Sequence, residues 1–430
     1  MEPVDDSLRD SSLVPASTPK MTEREPENTS RRRAVDRARV ASLDVEISAL
    51  EFALKALRAE RKLAQEWLDA YIYPVLTLPN EITSAIFLRY LPPYPQRPSP
   101  SPPLFGDASP TTLGQICRQW RAVAHSTPAL WRAIDFVDVD RDPVPDIART
   151  WLQRSGALPI SFQFAAATPS TSLFRREQMF SELLLHRSRW AYASINLPFN
   201  RLCDVVFRSS LRIDGVLQNL LQLDVFVAEN GTLAPVGPLV APSLRTVSLH
   251  VYGTFSSYEK LSKIMSIPWA QLTRLFLDEL SPLLVVEILS RTRRLVSCRI
   301  SLDDRGPGPL DDRGSSGSSL LQLERLETLV LGFSLHANFT EQGSFLALLR
   351  MPALQKLQID QDFLPGDDDS RPTALETWIR GLNCSLQRLC VLDPRSSEER
   401  YRTVFSHIPQ MEFNMYDEPI DSTHWGRWEF

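Results

Sequence analysis

The chain has little glycine, few histidines and a small, scattered set of cysteines. Sixteen Gly against 33 Pro in 430 residues leave few free hinges and many stiff connectors. The five cysteines, Cys117, Cys203, Cys298, Cys384 and Cys390, are odd in number and never form a C-x-x-C pair. That spacing excludes a zinc-ribbon pattern and argues against a disulfide framework, so reduced thiols are expected. No apolar run reaches the ~18 residues of a membrane span. The opening MEPVDDSLRDSSLVP lacks the basic-then-apolar layout of a signal peptide. A cytoplasmic and/or nuclear protein is expected, and the N-x-[ST] sequons at Asn28, Asn230, Asn338 and Asn383 read as chance. Catalytic patterns are missing as well: there is no G-x-S-x-G elbow, no H-E-x-x-H and no G-x-x-x-x-G-K-[ST]. The six histidines are dispersed, and His125 reads as a helix-end residue where a cation is favoured. Asp367, Asp368 and Asp369 lack partners at cation-ligand spacing and read as an exposed acidic turn. No catalytic residue, metal or cofactor is expected.

What is present describes a protein with real cores: 43% hydrophobic and 23% charged residues. A net charge of −5 gives no sign of a nucleic-acid or membrane surface. The length calls for two or more domains. Residues 1–29 are poor in aromatics and rich in Ser, Thr, Pro, Asp and Glu, and are expected to stay disordered. Residues 30–73 hold no Pro or Gly. Val40, Leu43, Ile47, Leu50, Leu54, Leu57, Ala64, Leu68 and Tyr71 alternate in steps of three and four, with Arg61 breaking the seam. That is a heptad, and predicts one long helix ended by Pro74. Two readings stay open: a coil self-associating through 40–71, or a helix folded back on its own domain. Arg31, Arg32 and Arg33 could be a nuclear localisation signal or a solvated helix end.

Next comes LPNEITSAIFLRYLP at 78–92, with Pro79 at the first helical position and Glu81 at the positive end of the dipole. Ile82, Ile86 and Tyr90 form one face while Phe87 and Leu91 extend round to another, so a short helix must bury two sides. Residues 92–110 form a Pro/Ser-rich insertion. LGQICRQWRAVAHSTPALWRAI then predicts a helix carrying Leu113, Ile116, Cys117, Trp120, Val123 and Ala124 and ending near His125. Ser126 or Thr127 would cap a new helix with Pro128 at its first position and Leu130, Trp131 and Ile134 as its apolar residues. Over 77–135 these motifs resemble an F-box of the form common in fungi, with the insertion as a departure.

Beyond residue 136 a phrase L-x-x-L-x-L returns: APSLRTVSLHV, WAQLTRLFLDE, TRRLVSCRISL, LERLETLVLGF, MPALQKLQIDQ and NCSLQRLCVLD. Its anchors are Leu244, Leu272, Leu295, Leu326, Leu354 and Leu386, separated by 28, 23, 31, 28 and 32 residues; Leu220 and Trp190 extend the series upstream. The period marks a leucine-rich repeat. The Asn or Cys usual two residues beyond the third apolar position is replaced by Tyr252, Leu280, Ser334 and Asp362 in four copies, so an irregular solenoid is expected. An ordinary layered α/β domain is the alternative. DDRGPGPLDDRGSSGSS at 303–319 reads as a mobile insertion.

The expected fold class is therefore α + α/β: an N-terminal coiled-coil helix at 30–73, a small three-helix F-box at 74–135, and a leucine-rich-repeat solenoid with a curved parallel sheet at 136–415. A C-terminal tail at 416–430 follows. The resemblance implies a substrate-recognition adaptor of an SCF-type (cullin-RING) ubiquitin ligase, docking on a Skp-type adaptor and through it on a cullin. It assigns Leu78, Pro79, Ile82, Ile86, Leu113, Ile116, Cys117 and Trp120 to that interface or its border. The repeat register assigns Arg274, Phe276, Arg299, Lys356, Gln358 and Arg388 to outward positions facing a protein substrate. The alternative is a leucine-rich scaffold with no part in ubiquitin transfer. A hydrolase would need three polar side chains to converge in a pocket.

Overall fold

Alternation along a strand sends successive side chains to opposite faces, and each L-x-x-L-x-L phrase ends in such a strand. The computed structural model describes residues 25–70, 74–91, 106–107, 109–136, 144–165, 180–198, 216–228, 239–252, 267–302, 320–333, 343–394 and 398–414. Residues 1–24 of the tail expected at 1–29, the expected tail at 416–430, most of the 92–110 insertion and the loop at 303–319 lie outside them, while 25–29, expected to be disordered, are helical. The chain divides into two compact units, Met1–Leu78 and Pro79–Phe430.

The first unit is the helix α1, Glu25–Ala70, followed by a 3-10 turn at Pro74–Thr77. It starts five residues ahead of the expected point. Pro26 suits a first turn, where its missing N–H would be unpaired anyway.

Among the described residues of the second unit, eleven strands form one all-parallel sheet in strict chain order. They are β1 Ala133–Phe136, β2 Ile160–Ala165, β3 Trp190–Pro198, β4 Gln222–Ala228, β5 Thr246–Tyr252, β6 Arg274–Leu280, β7 Ser297–Leu302, β8 Thr328–Phe333, β9 Lys356–Asp360, β10 Arg388–Leu392 and β11 Gln410–Asn414. Two apolar ladders cross it. One runs Ile134, Phe162, Ala193, Leu223, Val247, Leu275, Cys298, Leu329, Leu357, Leu389, Met411; the other runs Phe136, Phe164, Ile195, Val225, Leu249, Leu277, Ile300, Leu331, Ile359, Val391, Phe413. All but the two edge residues on β11 are buried. A fully buried aliphatic side chain contributes about 1.5–3 kcal/mol, so the ladders dominate the cohesion of this unit.

The repeat extends to the backbone. Ahead of β5, β6, β8 and β9 an anchor N–H closes a three-residue turn: Leu244 to the Ala241 carbonyl, Leu272 to Trp269, Leu326 to Leu323, Leu354 to Met351, each 3.2 Å. The carbonyl just past the anchor, on Arg245, Thr273, Val296, Glu327 and Gln355, then accepts two N–H groups from the next unit. The anchors Leu220, Leu244, Leu272, Leu295, Leu326 and Leu354 are all buried. Between strands lie short helices, among them α5 Val144–Arg154, α6 Pro282–Ser290, α7 Gly343–Leu348, α8 Arg371–Leu382 and α9 Glu398–Val404. Asn383, one of the sequon residues, ends α8 in the left-handed conformation at φ 55°, where Asn is tolerated.

The helical region ahead of the sheet departs from expectation in three ways. The helix expected through 113–125 is two, α3 Pro110–Ile116 and α4 Arg118–His125. Cys117 between them is extended (φ −154°, ψ 171°), and its Sγ accepts the Trp120 N–H at 3.4 Å. The thiol thus takes the place of a capping oxygen. The Arg121 Nε takes up the Gly114 carbonyl at 2.7 Å. Second, Ser126 and Thr127 cap nothing ahead of them, because both hydroxyls donate back to the Val123 carbonyl, at 3.1 and 2.7 Å. Third, Ile134 lies in β1 and not in a helix. The expected boundary at 135 therefore cuts a strand, and these helices share one compact unit with the sheet.

Trp131 explains the continuity. It ends the 3-10 turn Pro128–Trp131, immediately ahead of β1, and its Nε1–H donates to the Ala124 carbonyl of α4 at 2.8 Å. Its ring meets Trp151 of α5 edge-on at 5.2 Å, with the Arg154 guanidinium 4.6 Å from its centroid. Trp190 repeats the device at the start of β3, donating to the Leu183 carbonyl seven residues back at 3.1 Å. His125, the last residue of α4, does not favour a cation: burial, then Arg154 and Arg121, push its pKa down. The four described cysteines are unpaired.

Two expectations follow. Trp131→Phe keeps most of the buried area but leaves the Ala124 carbonyl without its donor, and should lower stability by about 1–3 kcal/mol in urea unfolding. Asp360, buried at the end of β9, has its carboxyl pushed up to about 7 by burial, with Asp362 and Asp393 adding to the rise against the Asp362 N–H and Arg371. A raised folded pKa means stability that is full below the ordinary carboxylate range and is lost as pH rises through about 7. Asp360→Asn keeps an acceptor for the Asp362 N–H, now at 2.9 Å. It should gain on the order of 1–3 kcal/mol at pH 8 and flatten the melting temperature between pH 5 and 8.

Candidate functional site

The helix α2, Asn80–Tyr90, carries apolar residues around more of its circumference than its domain covers. Thr83 and Phe87 point into the core, where the Phe87 ring meets Trp120 edge-on at 4.9 Å. Ser84 shares a hydrogen bond with Thr127 at 3.0 Å, and the Tyr90 hydroxyl donates to the Asp107 carbonyl. On another side of the helix from Phe87, Ile82 and Ile86 are 50% and 47% exposed, and Pro79 ahead of them is exposed too. The helix is thus pinned along one side with a second aliphatic side facing outward.

The residues assigned to this face from the sequence divide accordingly. Pro79, Ile82, Ile86 and Ile116 are exposed, and Cys117 and Trp120 are half-buried. Leu78, half-buried, is the last residue of the first unit. Leu113 is only 4% exposed; it belongs to the core and holds the face up from behind. Trp120 packs against the core while its Nε1–H, buried, has no hydrogen-bond partner among the described residues, an arrangement that costs stability.

The outward face of the sheet is more varied than alternation predicts. Arg274 is exposed, and Phe276, Arg299, Lys356 and Arg388 are half-buried. Gln358 is 5% exposed and cannot serve as a contact. It sits in register between Val330 and Cys390, both buried, so this part of the face is closed. Burial, with Glu412 adding, pushes the Cys390 thiol up to about 12. Arg388 spends its charge on Glu412, reaching both carboxylate oxygens at 2.8 and 3.0 Å. A groove of about 670 Å³ opens where the turns into β6 and β7 meet, lined by Trp269, Gln271, Arg291, Arg293 and Arg294 among others.

One constellation on the outward face has no mark in the sequence. His250 Nε2 lies 2.9 Å from Ser248 Oγ, and its Nδ1 lies 3.0 Å from Asp278 Oδ2. The Phe226 ring stacks on the imidazole at 4.3 Å. Ser248 and His250 share a face two residues apart on β5, while Asp278 is in register with His250 on β6. Just beyond, β6 bulges between Leu277 and Leu280, with Glu279 left-handed at φ 58°. Burial raises the Asp278 pKa, but hydrogen bonds from His250 and Ser301 and the charges of His250 and Arg299 outweigh it and hold the carboxyl below its usual range.

The distances are those of a Ser-His-Asp relay, and accessibility decides what it can do. Ser248 is 0% exposed. Among the described residues, its strand is paired along both sides, to β4 and β6, so the local amides are committed to the ladder and make no oxyanion hole. The relay fixes the imidazole and ties β4, β5 and β6 together. Among the described residues no His, Cys, Asp and Glu cluster could hold a metal ion, and no helix is long and apolar enough to cross a membrane.

No protein-family model matches the chain, and no curated protein shows significant similarity to it.

Double substitution of Ile82 and Ile86 by Asp should change unfolding free energy by no more than about 0.5 kcal/mol, as for exposed sites, whereas Leu113→Ala should cost about 2–5 kcal/mol. Parallel urea titrations of the two variants measure the contrast.

Proposed function

We propose that this chain is a non-catalytic, substrate-recruiting subunit of an SCF-type (cullin-RING) ubiquitin ligase. In this reading the helices from Pro79 to Trp131 act as an F-box that docks on a Skp-type adaptor, and through it on a cullin. The parallel-sheet unit acts as a leucine-rich-repeat-like domain that holds a protein substrate. The chain would then work in the cytoplasm and/or nucleus.

The observation that carries the reading is the second aliphatic side of α2. An eleven-residue helix whose Phe87 side is already buried has no folding reason to present Ile82 and Ile86 to water. Contiguous exposed apolar surface marks a binding site more often than an accident, and a helix laid against a partner's groove is a common way to cover it. The enclosed serine of the His250 relay supports recruitment over hydrolysis, since a nucleophile out of reach of substrate performs no acyl transfer. Substrate contact falls on the outward-facing cations that remain accessible, Arg274 and Lys356, and on the basic groove at Arg293 and Arg294.

Capture of the full chain from cells expressing a Skp-type adaptor tests the docking. Wild type should retain the adaptor, and Ile82→Asp with Ile86→Asp should reduce retention at least tenfold, because a charge forced into an apolar interface is left unpaired. Equal retention by the double variant would overturn the assignment. A wild-type chain that is monodisperse alone and never captures the adaptor would favour a scaffold with no part in ubiquitin transfer.

A further inference from the structure

The 46 residues of α1 form a rod roughly 70 Å long, and every residue from Thr29 to Ala70 is exposed. Its aliphatic seam places Val40, Ile47 and Leu54 at heptad position a and Leu43, Leu50 and Leu57 at position d. A stripe of this period is built to be covered along its length by another helix. With Leu68, the seven aliphatic seam residues offer on the order of 100 Å² each, roughly 700 Å² per helix. That is close to the ~800 Å² per partner of a stable specific interface.

Charge selects the occupant. In a parallel, in-register pair, Glu46 would flank Glu51, Arg32 would flank Arg37, and Arg61 at position a would face its own copy, against one favourable pair, Arg39 with Asp44. In the antiparallel pair that sets Leu43 against Leu68 and Leu54 against Leu57, those repulsions vanish. Glu51 then lies beside Arg58 of the partner subunit, twice by symmetry. Arg61 comes opposite Leu50 of the partner subunit, where its aliphatic stem covers apolar surface while the guanidinium reaches water.

We propose that α1 is a self-association device, pairing antiparallel with α1 of a second copy of this chain and so presenting two sheet units per assembly. This rests on α1 alone and is independent of the docking proposed for α2.

The test co-expresses two differently tagged full-length copies and captures one tag. Wild type should bring down the second tag. Leu50→Glu with Leu57→Glu should cut that recovery at least tenfold, and Phe52→Glu, off the seam at position f, should leave it unchanged. Orientation is read from copies carrying Leu43→Cys and Leu68→Cys: mild oxidation of the mixture should give the 43–68 disulfide, identified by peptide mass, and Leu43→Cys alone should give no 43–43 link. Unchanged recovery with the paired glutamates, or equal loss with Phe52→Glu, would overturn self-association through this seam, and a 43–43 link would overturn the antiparallel pairing. Limited proteolysis of the glutamate variant, with wild-type fragments expected, checks that the sheet unit still folds. Ile82→Asp with Ile86→Asp should leave the recovery intact, so the two proposals fail separately.

Discussion

A parallel sheet buries one face only if neighbouring strands present their apolar residues at the same height, and this registration is what the second unit depends on. Each strand from β1 to β11 brings two inward residues into two continuous ladders. A slip of one residue would turn the inward pair outward. The bifurcated carbonyls ahead of the strands set the height before the strand begins, and ahead of β5, β6, β8 and β9 a buried anchor leucine closes the turn. Crossovers can then vary from 23 to 32 residues between anchors, because lengthening a connection adds little closure entropy. An irregular repeat in sequence is thereby compatible with a regular one in hydrogen bonding.

The edge at β1 is where this repetition must start without a preceding unit. Trp131 supplies the missing neighbour. It bonds the end of α4, packs on Trp151 and leads directly into Ala133. The short helices ahead of the sheet therefore serve as its first layer, and their inner residues Phe87, Leu113 and Val123 belong to the same continuous core as Phe162 and Trp190. This explains why α2 is rigid enough to hold Ile82 and Ile86 in water: its other side is anchored in the core of the whole unit.

Much of this is legible in the sequence where a pattern repeats, and little where it does not. The strands β4 to β10 announce themselves through the anchor and the alternation after it. The strands AIDF and ISFQFA have no anchoring leucine ahead of them, so β1 and β2 go unread. The break at Cys117 is silent because a thiol accepting an amide leaves no composition signal. Gln358 shows that outward register is not exposure, since its neighbours Val330 and Cys390 close the surface around it. The His250 relay joins residues 28 positions apart, and only the register between β5 and β6 brings them together. The two-sided apolar character of α2, by contrast, follows from helical spacing alone.

The two units meet the problem of apolar surface in opposite ways. The sheet closes on itself by repetition, each unit burying the ladder residues of the one before. A lone helix has no such recourse: its backbone bonds are internal, and most helical stability in proteins comes from burying an amphipathic face. For α1, propensity, a proline-free run and scattered ion pairs such as Lys62 with Glu66 at 3.8 Å supply only tenths of a kcal/mol each. The aliphatic seam is the one feature of that helix large enough to set its stability, and it does so only when something lies along it. On α2 the surplus face is small and firmly supported, which suits capture of a rigid groove. On α1 it is long, periodic and flanked by charges of both signs, which suits another helix of matching pattern. Length and periodicity of exposed apolar surface, more than its amount, distinguish the two kinds of partner.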